Sequence, residues 1–513
     1  MTTAQICICI AIVAYLLFVI GIGVVFARQN KDAGDFYLGG HKLGPFVTAM
    51  SAEASDMSSW LLMGLPGVAY LTGIADAGWT AIGLAIGTYL NWLIVAKRIR
   101  RYTLVCGNSI TLPDFFSNRY RDQDKRKILM AIAAVVIIIF FVPYTASGFA
   151  ACGKLFSSLF GVDYVTAMII SAIVIVFYTA LGGFMAASTS DFWQSIIMTV
   201  ALVVVVGFGI SAAGGLDVVM DNARVLPGYL SMTQIYDPAS GASAPYGTLN
   251  IASMLAWGLG YFGMPHILLR FMAIEDEGKL TLSRRVASVW VVISMAVSVF
   301  IGIVGYSVSK AGAIPALSGS DSETIIVRIA DMISQHGVFF ALLAGLILAG
   351  ILAATMSTAD SQLLAASSSV SENLMRSFFG IKLSAKGTMI AARGTVLAIA
   401  LIGVFLARDP NSSVFGIVSF AWAGFGAAFG PVVLFALFWK RSNMYGALAG
   451  MVSGAAMVFI WKYLVRPRGG LWNIYELLPA FAVACVFIVI VSLLTPAPSK
   501  EITDEFDAVG KVK

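Results

Sequence analysis

Charged residues are scarce. Lys, Arg, Asp and Glu together make up 12% of the 513 residues, about half the share found in soluble domains. With 59% hydrophobic residues and a mean hydropathy of +0.88, the chain cannot cover itself with polar surface, which excludes a string of soluble domains. Histidine is rarer still: His41, His266 and His336 are dispersed, and no H-E-x-x-H exists to hold a catalytic metal. The five cysteines (Cys7, Cys9, Cys106, Cys152, Cys485) show no metal-ligand spacing, and most fall inside apolar runs. Neither a disulfide framework nor a zinc site follows. Polar stretches long enough for an appended globular domain are also missing. A net charge of +6 and a pI near 9.0 do not imply nucleic acid, because the basic residues lie between apolar segments and not on a soluble face.

What the chain has in abundance is apolar runs. About 20 largely apolar residues are needed to cross a bilayer as helix, since lipid offers peptide groups no hydrogen-bond partner. Thirteen segments meet this expectation: Gln5 to Arg28, Leu43 to Leu71, Asp76 to Ala96, Ile128 to Phe156, Val165 to Leu181, Asp191 to Ala213, Leu249 to Met272, Val286 to Val308, Val338 to Val370, Met389 to Ala407, Val414 to Phe438, Tyr445 to Leu464 and Trp472 to Leu494. The first lacks a basic leader and a small-residue cleavage site, so it is expected to remain as a helix. An odd number of crossings puts the termini on opposite sides. Most of the 33 basic residues fall on the same side if the amino terminus is outside and the carboxyl terminus cytoplasmic; the run Lys97 to Lys127 dominates, and Lys462, Arg466 and Arg468 run against the rule. The connection from Gly214 to Asn250 has room for a short helix near Asp217 to Val225. The tail from Pro496 alternates acids and lysines and is expected to be mobile. Gly83/Gly87, Gly426/Gly430 and Gly446/Gly450/Gly454 have the small-xxx-small spacing that lets helices pack closely.

Polar residues enter the membrane in three places. The second segment reads Ser51-Ala-Glu-Ala-Ser-Asp-Met-Ser-Ser59 at its middle. Glu53 and Asp56 at bilayer depth cost at least about 2.5 kcal/mol each on insertion scales, so they need a partner, water or an ion. The serines compete for backbone groups, and a helix broken near Ala54 to Ser58 is predicted. Asp56 then either serves an ion or caps the second half-helix. In the seventh segment, Trp257-Gly-Leu-Gly-Tyr261-Phe-Gly-Met-Pro265-His266 combines three glycines with a proline that removes an amide hydrogen. Two interrupted spans at matching places in successive five-span blocks point to a transporter of inverted repeats with its site between them. In the ninth segment, Ala354, Ser357, Thr358 and Ser361 share one helical face. Neutral hydroxyls and freed carbonyls suit a monovalent hard cation that must also be released, and sodium fits better than a divalent metal.

These stretches, with Leu43-Gly-Pro-Phe-Val-Thr-Ala, Ser55-Asp-Met-Ser-Ser-Trp-Leu-Leu-Met-Gly-Leu-Pro-Gly and Met356-Ser-Thr-Ala-Asp-Ser-Gln-Leu-Leu, resemble the sodium/solute symporter family, specifically its proline-transporting branch, over nearly the whole chain. The resemblance implies an all-α integral membrane protein with a LeuT-like 5+5 inverted-repeat core. One helix precedes the core (residues 1–30), the repeats span 43–213 and 249–438, two helices follow (445–495), and 496–513 form a cytoplasmic tail. It implies sodium ligands from the main-chain oxygens of Ala54, Met57 and Ala354 and the hydroxyls of Ser357 and Thr358, with Asp56 organising the site. Ser58, Trp60, Tyr144, Trp257, Tyr261 and Pro265 would form the substrate pocket. A second sodium site, known in some relatives, would draw on Asp191, Asp360 and Ser361 with Ser357; Asp191 alternatively sits in a helix first turn. Ser59 stands where glycine is common in that branch and Met264 where glutamine is frequent, and both bear on selectivity.

Two motif matches fail on context. Gly258-Leu-Gly-Tyr-Phe-Gly263 lies in an apolar span with no preceding strand, and Gly148 to Lys154 lacks the Ser/Thr of a phosphate loop. No catalytic constellation is visible. The expected function is secondary active import of L-proline by alternating access across the cytoplasmic membrane, with Na+ as coupling ion, no other cofactor, no nucleic acid and no obligatory protein partner. The alternative is another small solute of the same family: a different amino acid, a sugar or pantothenate.

Overall fold

The computed structural model describes residues 2–27, 33–122, 127–382 and 384–511. Helices account for nearly all of the fold. Among the described residues the only strands are a hairpin, Gln234–Asp237 paired antiparallel with Ala242–Pro245. It follows the helix Leu216–Val225, so the anticipated short helix is present and the hairpin is an addition. Among the described residues ten helices are long and apolar enough to cross a membrane, and an eleventh forms if the bent pair Thr248–Gly263 and Pro265–Ala273, angled at 47°, counts as one span. Two expected segments fall outside this set: Tyr164–Ala180 is apolar but short, and the stretch opening with Pro45–Ser59 is interrupted.

The expected boundary between the fifth and sixth segments needs correction. Helix runs from Tyr164 to Ala212 with a single break at Gly183 (φ 69°, ψ −172°), a conformation open to glycine at no steric cost. Asp191 therefore lies two turns inside the second half, fully buried, and not in a first turn. The tail is a second correction. Lys500–Lys511 is a helix whose Ile502 and Val509 are buried and whose Phe506 packs on the core. Glu501 and Glu505 pair with Arg121, and Asp507 with Lys440. The mobile reading counted total apolar content; what orders the segment is that its few apolar residues share one face.

The helix Val338–Ser368, which carries the hydroxyl face, is the hub of the structure. It packs against Thr3–Ala27, Pro45–Ser59, Ile128–Phe160 and Tyr164–Ala212. Its middle, from Ile347 to Ser368, is buried on every face, so polar groups there must be satisfied by neighbouring helices and not by solvent.

The spaced glycines do what their spacing suggests. A Cβ on Gly87 would stand 2.3 Å from the Gly258 carbonyl oxygen, and one on Gly258 would stand 2.3 Å from that of Gly83. Helix Ile74–Leu90 thus touches the interrupted seventh segment backbone to backbone. Gly426 likewise abuts Gly260, and Gly454 abuts the Ala427 carbonyl. Overpacking of this kind costs about 1–3 kcal/mol or more. Gly87→Val is expected to lower the thermal unfolding midpoint in detergent clearly, whereas Gly21→Val, with nothing within 4 Å of its Cβ, leaves it unchanged.

Candidate functional site

The predicted break in the second segment is at Ser58, with φ 47° and ψ −171°. A non-glycine residue in this region costs on the order of 1–3 kcal/mol and persists only where the surroundings over-determine it. The surroundings do so through hydrogen bonds. The Ser58 hydroxyl accepts from the Trp60 amide at 3.1 Å. Three carbonyls around the interruption are met by side chains of other helices: Ser357 Oγ donates to Ala54 O at 2.8 Å, Tyr144 Oη to Asp56 O at 3.2 Å, and Ser298 Oγ to Leu61 O at 2.5 Å. A π-type turn, Trp60–Gly64, then leads into the second half, Leu65–Thr72.

The expected sodium ligands come together here. Ser357 Oγ lies 2.8 Å from Ala54 O and 3.1 Å from Ala354 O, and Thr358 Oγ1 lies 3.2 Å from Ala354 O. Four of the five proposed oxygens thus form one connected cluster across the two helices. The fifth, Met57 O, accepts from the Trp60 amide, one residue before the break. Thr358 also lines a small polar cavity with Ser58, Ser59, Tyr144 and Gln362, and the buried Ser59 hydroxyl has no hydrogen-bond partner. Asp56 is held by Tyr261, whose Oη donates to Oδ2 at 2.5 Å.

Beside this cluster lies an aromatic cage lined by Asp56, Met57, Trp60, Leu84, Tyr144, Trp257, Val418 and Trp422. Its free volume is about 10 Å³, room for roughly one water. Trp60 and Trp257 approach with ring centroids 5.6 Å apart, and Phe415 lies within 6.0 Å of both. The Trp60 and Trp257 indole N–H groups are buried and unpartnered, which leaves two donors for an anionic group. Roomier cavities of about 480 and 420 Å³ present almost wholly apolar surface, with Thr199, Arg285 and Ser294 the polar residues lining the first, and lack the converging polar groups that orient a solute.

Of the six expected pocket residues, Trp60, Tyr144 and Trp257 line the cage. Tyr261 acts on it through Asp56 and through its ring, 5.1 Å from Trp422. Ser58 is at the break. Pro265 opens the half-helix Pro265–Ala273, directly after the interruption at Met264, and is not on the cage wall. Trp422, Val418 and Phe415 were missed by the sequence reading. Their spacing places them on one face of Val414–Phe438, but an apolar face in a membrane helix carries no signal of its own. Trp422 also binds the seventh segment directly, its Nε1 donating to Trp257 O at 2.7 Å.

Asp191, Asp360 and Ser361 also converge, around a residue that sequence reasoning did not single out. The buried Arg270 guanidinium reaches Asp191 Oδ2 at 3.1 Å, Ser361 Oγ at 2.5 Å and Ser51 Oγ at 3.0 Å. Ser51 Oγ in turn donates to Asp191 Oδ2 at 2.6 Å, and Ser361 Oγ donates to Ser357 O at 2.9 Å. Asp191 Oδ1 and Asp360 Oδ2 are buried without partners. Glu53 points elsewhere: its Oε1 accepts from Thr88 and Trp92 of the third segment at 3.0 and 2.7 Å.

Comparison with known proteins places this geometry in a family. The chain is 40% identical over 507 residues to a Haemophilus influenzae sodium/proline symporter, covering 98% of each chain. It is 43% identical over 490 residues to a high-affinity proline transporter of Bacillus subtilis, covering 95% of this chain and 98% of the relative. Among solved structures, a Na+-coupled sialic acid symporter in a substrate-bound outward-open state shares the fold, with a TM-score of 0.77 at 16% identity over 96% of this chain and 99% of the other. Residues 36–454 match the family model for sodium:solute symporters. The chain belongs to the sodium:solute symporter family.

Proposed function

We propose that the protein is a sodium-coupled symporter that imports L-proline by alternating access. The observation that carries the reading is the Ser357 hydroxyl bridging the Ala54 and Ala354 carbonyls across two helices. The relatives, matched over nearly their whole length and named for proline transport, support the choice of solute. The aromatic cage suits it chemically. Its rings can bury the pyrrolidine and face the secondary ammonium, and the two free indole N–H groups can receive the carboxylate. With about 10 Å³ free, the cage must open its aromatic walls to admit the solute.

Sodium would enter as co-substrate. Ser357 and Thr358 now donate to main-chain carbonyls; a cation among the same oxygens turns those hydroxyl hydrogens outward and replaces hydrogen bonds with ion contacts. The ion thereby fixes the half-helix ending at Ser58 against the helix Val338–Ser368, which positions Trp60 and Asp56 for the solute. A potential of about 100 mV supplies roughly 2.3 kcal/mol per charge and a tenfold gradient about 1.4 kcal/mol more. Their sum supports roughly a few hundredfold accumulation per ion.

The same reading holds that thirteen helices span the cytoplasmic membrane, with the amino terminus outside and the tail inside, and that residues 43–213 and 249–438 are inverted repeats. It also includes a second sodium near Asp191, Asp360 and Ser361. Two acids there face one guanidinium, which with both carboxylates ionised leaves one negative charge and two unpartnered carboxylate oxygens for a further cation.

Labelled proline uptake into proteoliposomes is the direct test: accumulation above equilibrium is expected with an inward Na+ gradient, and uptake indifferent to Na+ would sink the proposal. Ser357→Ala with Thr358→Ala is expected to raise the half-saturating Na+ concentration about tenfold or more, the equivalent of roughly 1.4 kcal/mol; an unchanged value removes these ligands from the site. Asp360→Asn is expected to lower the Hill coefficient of Na+ activation toward one while proline dependence persists. A coefficient equal to that of the unmodified protein argues against the second ion.

A further inference from the structure

Beneath the C-terminal helix lies a guanidinium that makes no ion pair among the described residues. Arg119, on the helix Leu112–Tyr120, is 0% exposed. Its Nε donates to Ala436 O at 3.0 Å, while Nη1 and Nη2 have no hydrogen-bond partner. What surrounds it is aromatic: the guanidinium carbon stands 5.1 Å from the Tyr102 ring, 4.9 Å from Tyr120 and 5.6 Å from Phe506 of the tail. Arg98 approaches the other side of the same plug, 5.0 Å from the Phe506 ring, and its Nε is also unpartnered. The buried Tyr102 hydroxyl completes a third free group. Of the tail acids, Glu501 and Glu505 pair with Arg121 and Asp507 with Lys440, and the second Glu505 oxygen is buried without a hydrogen bond to either Arg98 or Arg119. Burying a charge without an ion partner costs several kcal/mol; cation–π contacts offset part of this, about 2 kcal/mol or more each when desolvated, but leave the two terminal nitrogens without an acceptor.

We propose that Arg98, Arg119 and Tyr102 form a phosphate-binding site for the headgroup of an anionic phospholipid, and that the tail helix, with Phe506 as its plug, closes that site. Two guanidiniums with free N–H groups and a hydroxyl donor make the fork that a phosphate monoanion requires. The position selects a lipid over a soluble ion. Arg98 lies at the end of the apolar run Ile74–Val105, and Phe438, in contact with Arg98, is the last residue of Val414–Phe438. Leu104, Val105 and Phe438 stand exposed around it, as groups at headgroup level do. Closure is held by Phe506 over Arg98 and Arg119 and by three ion pairs of the tail with Arg121 and Lys440, so a headgroup must displace Phe506 to reach its site, and an anionic bilayer surface draws the neighbouring Arg121 and Lys440 away from the tail acids. Occupancy bears on the transport machinery, because the segment Ala96–Val105 under the tail packs against the half-helix Pro265–Ala273.

Hydrogen–deuterium exchange on the full chain in nanodiscs tests this. Residues 500–511 are expected to be protected in phosphatidylcholine and to exchange at least tenfold faster when phosphatidylglycerol is included at constant salt. Phosphatidylcholine discs with inorganic phosphate, or with chloride of equal ionic strength, should remain protected. Phe506→Ala should expose the segment even in phosphatidylcholine and retain phosphatidylglycerol in native mass spectrometry after delipidation. Arg119→Lys, which keeps the charge and loses the fork, should retain several-fold less lipid. Phe506→Leu, which keeps an apolar plug, guards against a general folding defect and should stay protected. The proposal is overturned if phosphatidylglycerol leaves the tail protected, if chloride releases it equally, if free phosphate releases it at matched strength, or if Arg119→Lys retains lipid unchanged.

Discussion

Everything at the centre of this protein depends on a peptide segment that stops being a helix while buried among other helices. A broken helix in hydrocarbon leaves carbonyls that must find donors, and here the donors come from three different helices: Ser357, Tyr144 and Ser298. The requirement that makes the break tolerable also makes it useful. In the proposed reading, the oxygens gathered to satisfy freed carbonyls would supply most of a coordination shell for a weakly held cation. The hydrogen bond from Ser357 to Ala54 is both a structural repair and the contact that a hard cation would take over.

The interruption, the hydroxyl face and the second broken span were legible because each requires residue types that a membrane helix otherwise avoids: acids, clustered serines, a proline among glycines. Trp60, Tyr144 and Trp257 were legible through family resemblance and not through periodicity. Trp422 and Phe415 were illegible because an aromatic residue facing a cavity and one facing lipid look the same in sequence. Arg270 was passed over for a related reason. A lone arginine near the end of an apolar run reads as a basic boundary residue, and only the fold shows it inside, between Asp191 and Ser361. The tail misled by composition: Ile502, Phe506 and Val509 are too few to raise the apolar content, yet their placement on one face suffices.

Glycine has a part as specific as that of the polar groups. At Gly83, Gly87 and Gly258 the chains approach until carbonyl oxygen meets the place a side chain would occupy. Such contacts fix the third segment against the seventh with little room for adjustment, while the two half-helices on either side of Met264 keep their 47° bend. The scaffold is therefore held by close backbone contact between the third and seventh segments and by side-chain hydrogen bonds at the break in the second.

The seventh segment holds one more resource. Its eight residues Ala256–Gly263 wind as a 3-10 helix, which rises about 2.0 Å per residue against about 1.5 Å in an α-helix. Rewinding that stretch as α would shorten it by about 4 Å, roughly three quarters of the height of one turn. Extra end-to-end length is thus stored beside the cage, and taking it up would draw the Pro265 half-helix along the axis of the preceding half, 47° from its own, without stretching a single covalent bond.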